Sequence, residues 1–270
     1  MQYPKPLSEK TINKKYEELG LSEEQVEYVH DFTLACVNLY GVAYAADIWD
    51  IYRELSGRIT TPVLHRKDMY GAFDIMRREE VPYLVLENSE VFEGAEDTEG
   101  DRLIVARELA GTGRNKYDRV LDLLMSLHDV DYFVPDDLVS YSNMPACKEE
   151  RMLVNTLSSL KVNVKNEIDT DGNTLARKHY GEKLGDFVLT DETKVAASEI
   201  YDLFKLDIQI GKVSIDEAAQ RVFNTLALIG VMLTQSQADH IAARISNMIN
   251  NIHTWNLCGW TINELHSLNS

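Results

Sequence analysis

Apolar side chains recur three and four residues apart along most of this 270-residue chain, and no stretch alternates long enough to build a large sheet. Such a pattern lays one apolar stripe down each helix, so the chain folds mainly as helices packed on helices. Ser22-Glu23-Glu24-Gln25 is a Ser-x-x-Gln capping box, and Val26, Val29, Phe32, Thr33, Val37 and Tyr40 follow at helical spacing until Gly41. A second helix spans 43–56 with Ile48, Trp49, Ile51, Tyr52 and Leu55, and Gly57 stops it. Thr61-Pro62 opens a third, over 62–78, which carries Leu64, Met69, Phe73 and Met76. Tyr83-Leu84-Val85-Leu86 and Val91-Phe92-Glu93 then read as two short strands about the turn Glu87–Glu90.

Three helices and a β-hairpin in that order predict a winged-helix-like domain over residues 1–98, with a hinge among Gly94, Ala95 and Gly100. An α-helical domain is expected over 99–270, making the whole mainly α. In that second part the spacing predicts helices over 103–109, 117–127, a short one after Pro135, one through Leu153, Leu157 and Leu160, and one over 172–184. Three longer helices follow over 192–210, 215–229 and 236–252, with capping boxes at Ser214–Glu217 and, approximately, at Ser236–Asp239.

Composition excludes several classes. No run approaches eighteen apolar residues, so no membrane span is expected. Residues 1–10 lack the apolar core of a signal peptide. The three cysteines, Cys36, Cys147 and Cys258, are too few and too scattered for a disulfide framework, which fits a reducing cytoplasm. Net charge is −17, and residues 1–100 alone carry 10 basic and 20 acidic groups. A field of that sign repels phosphate backbones at long range.

Three stretches carry a resemblance. They are the winged-helix-like opening; Asp131-Tyr132-Phe133-Val134-Pro135 with Leu138, Tyr141 and the helix over 153–160; and the run from Asn250 to Leu265. Together they resemble a group of helical proteins from Gram-positive bacteria and their mobile elements. Members of that group close with paired asparagines, a tryptophan, a glycine and Thr-Pro-x-Glu-Leu. Here Asn250, Asn251, Trp255, Gly259, Trp260, Thr261, Glu264 and Leu265 match, while Ile262 stands at the proline position. Some members continue into a cysteine-rich zinc-binding tail, which this sequence lacks. The resemblance bears on architecture and implies no activity.

Residue chemistry favours structure over catalysis. In the C-terminal motif, Asn251 suits a helix end, Trp255 an anchor and Gly259 a turn, and Thr261 with Glu264 can cap a last helix. A recognition surface including Asn250, Trp255 and Trp260 is the alternative. Helix 62–78 is the recognition-helix candidate: His65, Arg66, Lys67, Met69 and Tyr70 lie toward its start, and Arg77 and Arg78 at its end. The acidic candidate wing, Glu87–Glu93, opposes DNA contact. Asp169, Asp171 and Asn173 open like a calcium loop, but Thr174 and Tyr180 occupy the positions that need glycine and glutamate. Gly111–Lys116 has neither phosphate-loop spacing, and the histidines form no His-x-x-x-His or His-Glu-x-x-His unit. No catalytic residue, metal ligand or cofactor is therefore assigned. The sequence favours a noncatalytic cytoplasmic protein-binding or adaptor protein, with a protein as the expected partner. A second copy of the chain is a further candidate partner. The alternative is a winged-helix DNA-binding regulator using helix 62–78, which the net charge disfavours.

Overall fold

The computed structural model describes residues 3–113, 115–160, 197–229, 231 and 233–268. The helix expected over 172–184, the turn with Asp169, Asp171 and Asn173, and the start of the helix expected from Glu192 lie outside the described residues. The chain divides into two compact units, Met1–Pro145 with Thr254–Trp260, and Ala146–His253 with Thr261–Ser270.

The first unit begins with α1 (Glu9–Leu19) and α2 (Glu23–Tyr40). Ser22 and Gln25 cap α2 reciprocally, at 3.2 and 2.9 Å, as the capping box predicts. Next come β1 (Val42–Tyr44), α3 (Ala45–Arg58), α4 (Arg66–Met76), β2 (Tyr83–Leu86), α5 (Asn88–Val91), β3 (Leu103–Ala106) and α6 (Asp118–Ser126). The strands form one antiparallel sheet in the order β1-β3-β2, with Val105 opposite both Val42 and Leu84. Helix, strand, two helices and two further strands, from α2 to β3, is a winged-helix-like arrangement, and the 87–102 connection stands where a wing would. Phe32, Ile48, Leu55, Met69, Phe73, Met76, Val85 and Ile104 are all fully buried in its core. Burial of each such side chain contributes about 1.5–3 kcal/mol.

The hairpin differs from the expected one. Tyr83–Leu86 is a strand, but its partner is Leu103–Ala106, a segment whose spacing suggested a helix. All four residues of β3 are buried, and a short, uninterrupted apolar run does not distinguish a buried helix from a central strand. Val91 closes the helical turn α5 instead of starting a strand, because Glu90 reaches back to accept from the Glu87 N–H at 2.9 Å. The boundary expected near residue 98 falls inside the β2–β3 connection, between two paired strands. The short helix expected after Pro135 is a 3-10 stretch, Leu138–Asn143, along which Asn38 of α2 donates to the carbonyls of Tyr141 and Ser142.

The second unit consists, among the described residues, of α7 (Lys148–Ser158), α8 (Ala197–Gln209), α9 (Ile215–Leu228), α10 (Gln235–Asn251) and α11 (Ile262–Leu268). Leu153, Leu157, Ile200, Phe204, Val222, Leu226, Ile245 and Met248 form its core. The Ser214–Glu217 box is present, whereas α10 is capped by Thr234 with Gln237 rather than by Ser236.

Candidate functional site

The winged-helix-like arrangement makes α4 the helix whose outer face decides what this unit can touch. Helical spacing puts Lys67, Gly71 and Asp74 of α4 on one stripe, and Lys67 and Asp74 are exposed. Gly71, at the middle of that stripe, is partly covered. A Cβ there would stand 2.7 Å from Leu19 Cδ1, so α1 lies directly against α4. Tyr16 of α1 secures the contact by donating to Glu79 Oε2 at 2.9 Å, and its hydroxyl lies 3.0 Å from His30 Nε2.

The residues expected to form a recognition helix separate into three groups. Met69 and Tyr70 are core side chains. Arg77 lies in an ionic network 12% exposed: it donates to the Val85 carbonyl at 2.5 Å and to Glu90 at 2.7 Å, and lies 3.6 Å from Glu87. Arg102 adds contacts to Glu87 at 3.1 Å and Asp74 at 2.9 Å. Two acids of the candidate wing are thus neutralised within the fold. Arg78 is exposed past the end of α4, its carbonyl accepting from the Leu7 N–H. His65, Arg66 and Lys67 are exposed at the helix start, where Asp68 accepts from the His65 N–H at 3.0 Å.

That start opens onto a cavity. About 630 Å³ of open space is bounded by Arg66, Lys67 and Tyr70 of α4, by Ala46 of α3, and by Thr98–Asp101 of the β2–β3 connection. The Arg66 guanidinium stacks on the Tyr70 ring, 5.0 Å from its centroid. Tyr70 is 4% exposed, yet its hydroxyl has no hydrogen-bond partner. A Cβ at Gly100 would lie 3.5 Å from that hydroxyl and 3.7 Å from Arg66 Nη2, so both groups converge above this glycine. The opposite wall is braced: Thr98 donates to Asp101 at 2.6 Å, and the Ala46 N–H donates to the Gly100 carbonyl at 3.0 Å. Further along, Asp97 accepts from the Ser89 N–H and hydroxyl, which hold its carboxyl below the usual range. Thr98, Glu99, Gly100 and Asp101 had suggested only a hinge. The Thr-x-x-Asp spacing was the available signal for order there.

The C-terminal motif is divided between the units. In the first, Trp255 is buried and donates to the Asn38 carbonyl at 2.9 Å, while Trp260 donates to the Asp131 carbonyl at 2.8 Å and packs on Phe133. Gly259, at φ 86°, sits where a Cβ would meet the Tyr40 ring at 2.7 Å. In the second, Thr261 and Glu264 cap α11 at 2.9 and 3.1 Å, and the Leu265 N–H donates to the Thr261 carbonyl. Asn251 ends α10 without a left-handed backbone, and among the described residues the non-glycine residue that adopts one is Cys258, at φ 52°. Asn250 is half-buried.

Among the described residues, no three His, Cys, Asp or Glu side chains are grouped to hold a metal ion. Burial raises the thiols of Cys147 and Cys258 to about 11 and that of Cys36 further, which keeps them protonated near neutral pH. Gly111–Lys116 follows β3 and a 3-10 turn rather than the expected helix, and the Gly111 N–H donates to the Lys116 carbonyl. No described helix is long and apolar enough to cross a membrane. No family model matches the chain, and neither a curated protein nor a solved structure does.

Proposed function

We propose that this protein is a noncatalytic cytoplasmic binding protein whose winged-helix-like unit recognises a protein partner. The observation that carries this reading is Leu19 seated on Gly71. A helix that reads a major groove presents its outer face bare to the bases, and α1 covers the middle of that face here. The charges agree: Arg77 and Arg102 are committed to Glu87, Glu90 and Asp74. A chain of net charge −17 has no surplus to replace them.

The DNA-binding reading retains one supporting observation, the exposure of Arg66 and Lys67 at the helix start, where a groove-reading helix touches bases. Site-specific photo-crosslinking in cells separates the two. With a benzophenone amino acid at position 67, and at the exposed Met125 of α6 as control, we expect nuclease-resistant protein adducts specific to position 67. Nuclease-sensitive adducts overturn the proposal. So does salt-dependent binding to a mixed double-stranded DNA library that is lost in Arg66→Ala/Lys67→Ala.

A further inference from the structure

We infer that the cleft between the start of α4 and residues 98–101 is a carboxylate-binding site, through which the protein partner proposed above docks an acidic group. This rests on the protein-partner reading and gives it a chemistry. Tyr70 is the decisive residue. Its side chain is 96% buried by its 4% exposure, but its hydroxyl pairs with nothing in the fold. Buried hydroxyls are nearly always satisfied, and an orphan beside a cavity is a donor that an incoming ligand atom can pair. The Arg66 guanidinium lies beside it, with Nη2 facing the same point above Gly100.

Three features select a carboxylate. The guanidinium is a planar fork matched to two carboxylate oxygens, and the adjacent hydroxyl adds a donor. The N-terminal end of an eleven-residue helix adds positive potential, with Lys67 next to it. Glu99 and Asp101 line the facing wall, so each further negative charge on the ligand is opposed; a monoanion suffers less than a phosphate dianion. The same two acids suit a basic group adjoining the carboxylate. The stacked guanidinium covers the Tyr70 hydroxyl, so Arg66 shifts aside while keeping its fork on the entering carboxylate. Among the described residues Arg66 has no ion pair to hold it. The absent side chain of Gly100 leaves the point of convergence open.

The acidic group can be an Asp or Glu side chain or a chain terminus, and four probes distinguish these sources. Full-length isotope-labelled protein is titrated with acetyl-Ala-Glu-Ala-Lys-amide, with its Gln analogue, with acetyl-Ala-Ala-Lys-Ala bearing a free C-terminal carboxylate, and with inorganic phosphate. The Gly100 amide and Arg66 Nε resonances are followed. We expect saturable shifts with a carboxylate peptide, the stronger of the two naming the source, and none with the Gln analogue. Tyr70→Phe weakens binding about tenfold while leaving the fold intact, because it removes one hydrogen bond to a charged group and no internal partner. Gly100→Ala fits without a clash and fills the meeting point, so it abolishes the shifts in a protein that unfolds normally. Silence with both carboxylates, tighter binding of phosphate, or unchanged affinity in Tyr70→Phe overturns the inference. If protein adducts still form at position 67 in that case, the partner proposal stands alone; nucleic-acid adducts overturn the partner proposal itself.

Discussion

Arg77, which follows the last residue of α4, and Glu90 of α5 form an ion pair at 2.7 Å in which the carboxylate is 1% exposed and the guanidinium 12%. Glu87 and Arg102 extend it, and the Arg77 guanidinium also lies 5.3 Å from the centroid of the Tyr3 ring. A stretch that reads as an exposed acidic wing is therefore fastened to the helix it follows. Its charge is internal balance and not a field offered to a ligand.

Removing one partner from such a pair leaves a buried charge without compensation. Arg77→Met is expected to destabilise the first unit by about 3 kcal/mol, the usual scale for breaking a buried ion pair. All three tryptophans, Trp49, Trp255 and Trp260, belong to that unit, so urea unfolding followed by tryptophan fluorescence isolates it. Arg77→Met combined with Glu90→Leu is expected to recover much of the loss. A single substitution without effect would show that solvent already screens the pair.

The order of helices and strands was legible in the sequence where local chemistry dominates. The Ser22 and Ser214 boxes define helix starts through side chains only three residues apart, and both are present. The identity of the second hairpin strand was not legible, since Leu103–Ala106 becomes a strand by pairing with Val42–Tyr44 on one side and Tyr83–Leu86 on the other. That information lies about sixty residues away along the chain on one side and about twenty on the other. The cleft was half legible: Arg66, Lys67 and Tyr70 stood out together at the start of the candidate recognition helix, whereas the burial of the Tyr70 ring was not legible. Its unpaired hydroxyl exists only once Gly100 has been folded against it.

Glu79 gives the first unit an acid-sensitive fastening. Burial raises its carboxyl, but hydrogen bonds from His30 and Tyr16 outweigh that and leave it below the usual carboxylate range. A carboxyl lowered on folding adds stability that is fully present above its unfolded value, about 4.3, and disappears as pH falls through the folded value. Stability of the first unit is therefore expected to decline below roughly pH 4.3, and Glu79→Gln should flatten that decline. Urea midpoints taken across the acid range provide the check. An identical slope in the variant would assign the acid sensitivity to other carboxyls.

In the second unit, the Tyr201 hydroxyl donates to Glu150, and Lys205 lies 3.6 Å from the same carboxylate oxygen. The other oxygen accepts from the Cys147 N–H at the start of α7. Glu150 is only 7% exposed, so each bond offsets the cost of its burial. Tyr201→Phe removes one donor and is expected to cost about 1–3 kcal/mol. Amide exchange measured on α7 and α8 should quicken together while the amides of α2 do not change. Faster exchange confined to residue 201 would mean that Lys205 compensates alone.

Gly41 and Trp255 test whether the C-terminal segment is structural. Gly41 has φ 69°, and a Cβ there would lie 2.3 Å from Trp255 Cδ2, with Cε3 at 2.4 Å. Gly41→Ala therefore meets two penalties, left-handed strain of about 1–2 kcal/mol and overpacking of about 1–3 kcal/mol. Trp255→Ala removes a buried aromatic and is expected to cost about 3–5 kcal/mol. It also clears the space that the new methyl group needs, so the overpacking penalty vanishes in the double variant while the backbone strain persists. The double variant should then be more stable than the sum of the single losses by about 1–3 kcal/mol, the size of the overpacking contribution. Strict additivity would separate Gly41 from Trp255 and leave Trp255 available as a recognition residue.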